Sequence, residues 1–120
     1  MSRGRRLALA LCALVAAGCG HTAVVGGDRV VDLGVTEYHL KPNNVRMSAG
    51  VVTIVVHNDG RLTHNLAVSS SGQTEASTKP LWPGQRASLT LTLTPGRYRL
   101  ASTMLSDQAL GTYGTLTVTR

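Results

Sequence analysis

Cysteine is nearly missing from this sequence and is confined to its first 19 residues. The two cysteines are Cys12 and Cys19, so residues 20–120 contain no thiol. That stretch therefore cannot form a disulfide, and it cannot offer a thiolate to a metal ion. Because about a hundred residues can bury an adequate core without covalent cross-links, we expect packing alone to hold the fold together.

Aromatic side chains are also scarce. The chain has no phenylalanine, three tyrosines and one tryptophan, so its core must be built mainly from valine, leucine and isoleucine. The basic residues beyond the N-terminal segment are scattered and have almost no aromatic neighbours. Since nucleic-acid sites need a basic stripe and stacking rings, the sequence predicts no nucleic-acid partner.

The N-terminal segment has the features of an export signal. Arg3, Arg5 and Arg6 precede an apolar run over residues 7–17, and small residues end that run. The run is shorter than the roughly 20 residues that a membrane-spanning helix needs. Removal of residues 1–18 would leave nine basic and six acidic residues and lower the formal charge from +6 to +3. The Arg5-Arg6 pair leaves open whether export uses the general secretory or the twin-arginine route.

Residues 15–19, with the sequence VAAGC, resemble the lipobox of bacterial lipoproteins. The resemblance implies cleavage before Cys19 and acylation of its thiol, for example with palmitate. A secretory signal with an idle cysteine is the alternative, although an exported domain rarely keeps one odd thiol. Two acyl chains plus amide acylation anchor a protein stably. We therefore expect residues 1–18 to be a signal peptide, and residues 19–29 to tether a domain of residues 30–120 to the extracytoplasmic face of the cell membrane.

Short β signals separated by turn residues fill the chain from Val30 onward. A β-branched run at residues 51–56 suits a strand buried on both faces, and leucine alternates with hydroxyl residues at 87–94. We expect residues 69–78 to be a polar loop, and Trp82 to cap one end of the fold or to anchor a partner. About seven strands at this spacing predict an all-β Greek-key sandwich.

Three motifs give residues 30–119 a resemblance to the cupredoxins, the small blue-copper proteins. They are Asn58, Gly60 and His64-Asn65 at a strand end, Pro-Gly-x-Tyr at 95–98, and Gly-x-Leu-x-Val at 114–118. The family holds copper with a histidine on an early strand, and with a cysteine, a second histidine and usually a methionine on the loop before the last strand.

The resemblance implies that these four ligand roles fall on His64, Ser102, Asp107 and Thr112. Only the first of these residues matches the family's ligand. A serine hydroxyl is protonated near neutral pH and does not replace a thiolate, and threonine is a poor donor. We therefore expect these to be vestigial copper-site positions, with no cofactor. The loop of residues 102–112 is then long because its ancestor wrapped a metal.

Copper handling is the alternative that the residues leave open. Met104 with His64, or Met47 with His39, could bind Cu(I) as a copper chaperone would. Against this, methionine routinely fills hydrophobic cores, and nothing in the sequence directs Met104 towards His64. His39 is in any case more typical of a surface or boundary side chain than of a ligand.

A serine hydrolase triad of Ser102, His64 and Asp107 is disfavoured. By the resemblance, both partners would compete for one edge of the imidazole, and the sequence has no nucleophile elbow. We favour a hydrogen-bonded pair of His64 and Asp107, completed by Ser102, which would raise the pKa of the histidine. Solvated loop residues are the alternative.

The functional expectation is therefore a non-enzymatic, membrane-anchored lipoprotein with a cupredoxin-like domain. It would act as a binding or structural module, with a possible protein partner at its end loops, since rigid scaffolds commonly bind through surface loops. The alternative function is a copper-binding or copper-handling cupredoxin of the cell envelope.

Overall fold

The computed structural model describes residues 22–120, which form ten strands and one short helix. In chain order the elements are β1 Ala23–Val24, β2 Val30–Thr36, β3 His39–Lys41, β4 Asn44–Ser48, β5 Gly50–Asn58, β6 Ala67–Ser70, β7 Gln73–Ser77, β8 Arg86–Leu93, β9 Gly96–Ala101, α1 Asp107–Leu110 and β10 Tyr113–Thr119. The predicted signal peptide and Cys19 lie outside the described residues. Within the described residues, no helix has the length and apolar character needed to cross a membrane.

The strands form two sheets. One sheet has the order β1-β4-β10-β9-β6-β7, and the other has the order β3-β2-β5-β8. The chain passes repeatedly from one sheet to the other, so strands that follow each other in sequence often lie in different sheets. This connectivity confirms the predicted all-β Greek-key sandwich, with more strands than the seven expected.

The core between the sheets is almost entirely aliphatic. Seventeen buried hydrophobic residues from both sheets and their connections form one cluster, in which Met47 and Tyr98 are the only members that are not valine, leucine or isoleucine. The scarcity of aromatic residues is therefore reflected in the core as predicted. On β5 the expectation of two buried faces was wrong. Val52, Ile54 and Val56 are buried, whereas the opposite face is partly open and Val51 is 49% exposed.

Within the predicted domain of residues 30–120, two strands were not anticipated. β7 lies inside the segment predicted to be a polar loop. It could not be predicted, because this edge strand is mostly exposed and has no alternation of apolar and polar residues. β3 has only three residues, too few to give a periodic signal. The prediction that Trp82 caps the sandwich was also wrong, since its side chain is 68% exposed.

Part of the segment predicted to be a tether contacts the sandwich. β1 pairs in parallel with β4 at the edge of the larger sheet. Arg29 then fastens the chain to the β4–β5 corner, with its guanidinium donating to Ser48 O at 2.7 Å and to Val51 O at 2.9 Å. Residues 23–29 are thus tied to the folded domain by backbone pairing and by hydrogen bonds.

Candidate functional site

The backbone holds His64 in the connection between β5 and β6, where its side chain is fully buried. His64 N donates to Leu81 O at 3.1 Å, and Leu81 N donates to His64 O at 2.7 Å. Asn58 braces the preceding loop, because its Nδ2 donates to Leu62 O and Leu81 O, both at 2.8 Å, and its Oδ1 accepts from Gly60 N at 2.8 Å. The Asn58, Gly60 and His64 motif is therefore the local structure that presents the imidazole.

The Nδ1 edge of His64 faces the loop between β9 and β10. Asp107 Oδ2 lies 2.6 Å from His64 Nδ1 and accepts from Ser102 Oγ at 2.5 Å. Backbone hydrogen bonds from Ser102 N to Thr112 O at 3.1 Å and from Thr112 N to Asp107 O at 2.9 Å close the loop. The four positions named from the sequence thus lie together, and the predicted pair of His64 and Asp107 is present with Ser102 attached to it.

The Nε2 edge of His64 faces Glu37, which sequence reasoning missed. Glu37 follows β2, and its Oε2 lies 2.5 Å from His64 Nε2. The same carboxylate accepts from Arg61 N at 2.9 and 3.0 Å and from Leu62 N at 3.0 Å. No local pattern marks Glu37, because it is 27 positions from His64 and only the tertiary fold brings them together. The imidazole therefore bridges two carboxylates on opposite sides of its ring.

These contacts stabilise the protonated ring. Burial alone disfavours the cation, but the hydrogen bonds and negative charges of Asp107 and Glu37 outweigh it and raise the pKa of His64 above its ordinary value of 6.5. The hydrogen bond from Arg61 N, helped by those from His64 and Leu62 N, lowers the pKa of Glu37 to about 2 against the effect of desolvation. Since only an imidazolium donates from both nitrogens, the geometry is that of a cation between two anions.

A second polar network ties the loop to the start of β6. Asn65 N donates to Ser102 Oγ at 3.2 Å, and Asn65 Oδ1 accepts from Thr103 N at 2.7 Å. The Ser102 hydroxyl is hydrogen-bonded to a carboxylate and to a backbone amide, whereas a serine triad joins the hydroxyl to the imidazole. The arrangement of Ser102, His64 and Asp107 is therefore not that of a hydrolase triad.

The residues around His64 do not fit a type 1 copper ion. Such a site needs a thiolate and two imidazoles in a trigonal arrangement. Here a carboxylate and a hydroxyl lie at the Nδ1 edge, and Glu37 lies at the other edge, so the two carboxylates cannot share one ion with a single ring nitrogen. Within residues 22–120, no group of three or more His, Cys, Asp or Glu side chains could hold a metal ion.

The methionines and the other histidines lie in different surroundings. Met47 is buried in the core and His39 is exposed on β3, while Met104 is half-buried in the loop. His57 contacts Asp59, with 2.9 Å between Nδ1 and Oδ2. Among the described residues, Thr112 is buried with a hydroxyl that has no hydrogen-bond partner.

A two-sheet sandwich with a buried histidine before β6 and a long loop before the last strand defines the cupredoxin class. The chain belongs to this family, because the model of the cupredoxin-like domain matches residues 7–118. No curated protein sequence matches the chain.

Solved structures with this fold include blue copper proteins of photosynthetic bacteria. Reduced auracyanin of Roseiflexus castenholzii is 19% identical over 79% of this chain and 100% of its own, with a TM-score of 0.71. Auracyanin A, a blue copper protein of Chloroflexus aurantiacus, is 18% identical over 74% of this chain and 97% of its own, with a TM-score of 0.66. Reduced rusticyanin is 16% identical over 81% of this chain and 83% of its own, with a TM-score of 0.65. At these identities the likeness concerns the fold alone.

Proposed function

We propose that this protein is a lipid-anchored, extracytoplasmic module whose cupredoxin-like domain has lost the type 1 copper site and serves in binding or structural support. The observation that carries the proposal is the position of His64 between two carboxylates. Asp107 lies 2.6 Å from Nδ1 and Glu37 lies 2.5 Å from Nε2. A metal-binding histidine must offer a neutral ring nitrogen, and here each nitrogen faces an acceptor.

The cluster offers a structural replacement for a metal. In copper-binding cupredoxins, the bound ion fastens the loop before the last strand to the segment that carries the early histidine. Here, hydrogen bonds from His64 and Ser102 to Asp107 make the same connection, and Asn65 adds further hydrogen bonds to Ser102 and Thr103 of the loop. The long loop is thus held in place by charge-assisted hydrogen bonds, which are stronger than neutral ones.

The N-terminal anchor belongs to the same proposal. Only residues 20–22 separate Cys19 from β1, and a chain spans at most about 3.6 Å per residue. An acylated Cys19 would therefore hold the sandwich within roughly 15 Å of the lipid headgroups. This short connection suits a module that works at the membrane surface.

Exposed apolar side chains on the loops near His64 support a binding role for this end of the sandwich. Leu62, Trp82 and Leu105 are exposed. Leu62 N donates to Glu37, and Trp82 follows Leu81, whose backbone pairs with His64. Exposed large apolar side chains are a common feature of interaction surfaces.

Metal analysis tests the proposal directly. The acylated protein of residues 19–120 in detergent is mixed with Cu(II), with Cu(I) or with Zn(II), and the bound metal is measured after removal of the excess. We expect no stoichiometric uptake and no intense visible band. Stoichiometric copper uptake overturns the proposal in favour of copper handling, and its loss in a matched His64→Gln variant would place the ion at this site.

A further inference from the structure

Three hydrogen-bond donors converge on the carboxylate of Glu37 and form what we call the carboxylate seat. It consists of Arg61 N, Leu62 N and His64 Nε2, at 2.5–3.0 Å from the Glu37 oxygens. Two are neutral backbone amides and the third belongs to an imidazolium. This combination of fixed amides and one positive charge is well suited to a single carboxylate.

The seat is held in shape by contacts that do not involve Glu37. Asn58 anchors the loop that carries both amides, through Leu62 O and Gly60 N at 2.8 Å each. His64 is fixed by its backbone pairing with Leu81 and by its Nδ1 contact with Asp107. The donors therefore remain directed at the same point when the Glu37 side chain moves away.

Gly60 leaves the space in which the carboxylate lies. A Cβ at this position would overlap with Glu37 Oε2 and would lie 2.9 Å from its Cδ. The donors and Gly60 thus surround a space the size of a carboxyl group, which the Glu37 carboxylate fills and which a Cβ at position 60 would overlap. The Glu37 side chain keeps 21% of its surface exposed, so it lies at the boundary between the protein and solvent.

We propose that the carboxylate seat is a binding site for small organic monocarboxylates, and that Glu37 occupies it as an internal, displaceable ligand. The inference rests on the proposed function, because it names the ligand class of a metal-free site around His64. An incoming monocarboxylate puts one negative charge beside His64 where the Glu37 carboxylate lay, and the displaced Glu37 carboxylate, still charged, turns towards solvent. A tethered competitor such as Glu37 has a high effective concentration, which makes binding to the wild type weaker than binding to a chain without it.

Acetate is the probe that tests this inference. The ¹⁵N-labelled full-length protein in detergent is titrated with sodium acetate, with sodium chloride at equal ionic strength as the control, and the Arg61 and Leu62 amide signals are followed. In Glu37→Ala we expect saturable shifts of these two amides, with an affinity at least about tenfold higher than in the wild type. Adding Gly60→Ala to Glu37→Ala should abolish the shifts, because its Cβ fills the cavity.

A second variant keeps the test decisive if Glu37→Ala does not fold. Glu37→Gln retains the shape of the side chain and loses its charge, so acetate should displace it more easily than it displaces glutamate. Absence of saturable shifts in a folded variant of either kind overturns the inference, as does equal binding after Gly60→Ala. Such a failure leaves the copper measurements unaffected, whereas copper uptake would overturn the proposed function.

Discussion

The charge of His64 depends on the two residues at its ring edges, and Asp107 can be tested alone. Asp107→Asn removes the anion 2.6 Å from Nδ1 while keeping the size of the side chain. We expect the pKa of His64 to fall, because one of the two groups that favour the imidazolium is lost while burial still disfavours it. An NMR titration of the ring protons measures the change.

The matched control is Asp32→Asn, an exposed carboxylate on β2. It should leave the pKa of His64 as in the wild type. The loss of a charged hydrogen bond at Asp107 should also lower the free energy of unfolding by about 1.5–3 kcal/mol. An unchanged His64 pKa in Asp107→Asn would mean that the pair does not control the charge of the ring.

Thr112 allows a test in which a substitution should raise stability, because its buried hydroxyl has no hydrogen-bond partner among the described residues. Thr112→Val removes this unsatisfied group and nearly keeps the volume. We expect the free energy of unfolding to rise by about 1 kcal/mol, the usual cost of a buried polar group without a hydrogen bond. Urea denaturation followed by circular dichroism measures it.

Thr78→Val is the comparison for Thr112, since Thr78 Oγ1 accepts from Leu66 N at 3.0 Å. Removing this acceptor leaves a buried amide unsatisfied and should destabilise the protein by about 1–2 kcal/mol. If both valine variants lose stability to the same extent, the Thr112 hydroxyl has a partner that these contacts do not reveal.

At the scale of single residues, one half of the site could be predicted from the motifs, and the other half could not. His64 and Asp107 could be paired because the motifs on either side of the loop set its register. Glu37 could not be found, because it lies in the turn after β2, where no local pattern marks it, and its contact with His64 depends on how β2 lies beside β5. A buried imidazole needs counter-charges, but the sequence alone does not say which acidic residues supply them.

At the scale of elements, the loop between β9 and β10 allows a test of which of its residues occupy the family's copper-ligand positions. Its structure places Ser102, Asp107 and Thr112 together beside the Nδ1 edge of His64. We predict that the combined variant Ser102→Cys, Asp107→His, Thr112→Met binds Cu(II) and shows an intense visible thiolate-to-copper band. Glu37 can stay, because a metal-bound histidine commonly donates its other N–H to a carboxylate.

The control for this restoration is Ser102→Cys alone. It supplies a thiolate but keeps Asp107, so a single imidazole is available and the trigonal donor set is incomplete. We expect little or no intense band from this variant in absorption spectra. A folded triple variant without the band would show that the loop register inferred from the motifs is wrong.

Elements with an alternating apolar pattern could be predicted, and those without one could not. β8 and β10 alternate leucine or valine with threonine, so their strands and core-facing sides follow from period two. β7 is an exposed edge strand, and β1 owes its pairing to its neighbour β4 rather than to its own two residues. Such short or polar strands are fixed by tertiary context, which local patterns do not contain.

For the whole molecule, the aliphatic core and the loop between β9 and β10 are separate parts of the structure. Buried residues of both sheets form one cluster, and that cluster contains no residue of the loop. The sandwich thus folds around valine, leucine and isoleucine, while the charged cluster at one end determines how stability varies with pH. The contributions of the core and of the charged cluster to the free energy of unfolding can be separated experimentally, because the burial of apolar side chains does not depend on pH.

Two opposite pKa shifts limit the pH range of greatest stability. The folded-state pKa of Glu37, about 2, lies below its ordinary value of 4.5, so its contribution is present above pH 4.5 and is lost as the pH falls towards 2. The folded-state pKa of His64 lies above 6.5, so its contribution is complete below pH 6.5 and is lost as the pH rises through the folded value. We therefore predict that the free energy of unfolding is greatest between pH 4.5 and 6.5.

Urea denaturation at a series of pH values checks this curve, and two variants assign its limbs. Glu37→Gln should flatten the acid limb, because the side chain no longer titrates between pH 4.5 and 2. His64→Gln should flatten the alkaline limb and destabilise the protein at the optimum, since it leaves Asp107 and Glu37 without their shared cation. If stability instead rises steadily from pH 6.5 to higher values in the wild type, His64 is neutral in the folded protein. The ring would then be held by hydrogen bonds alone.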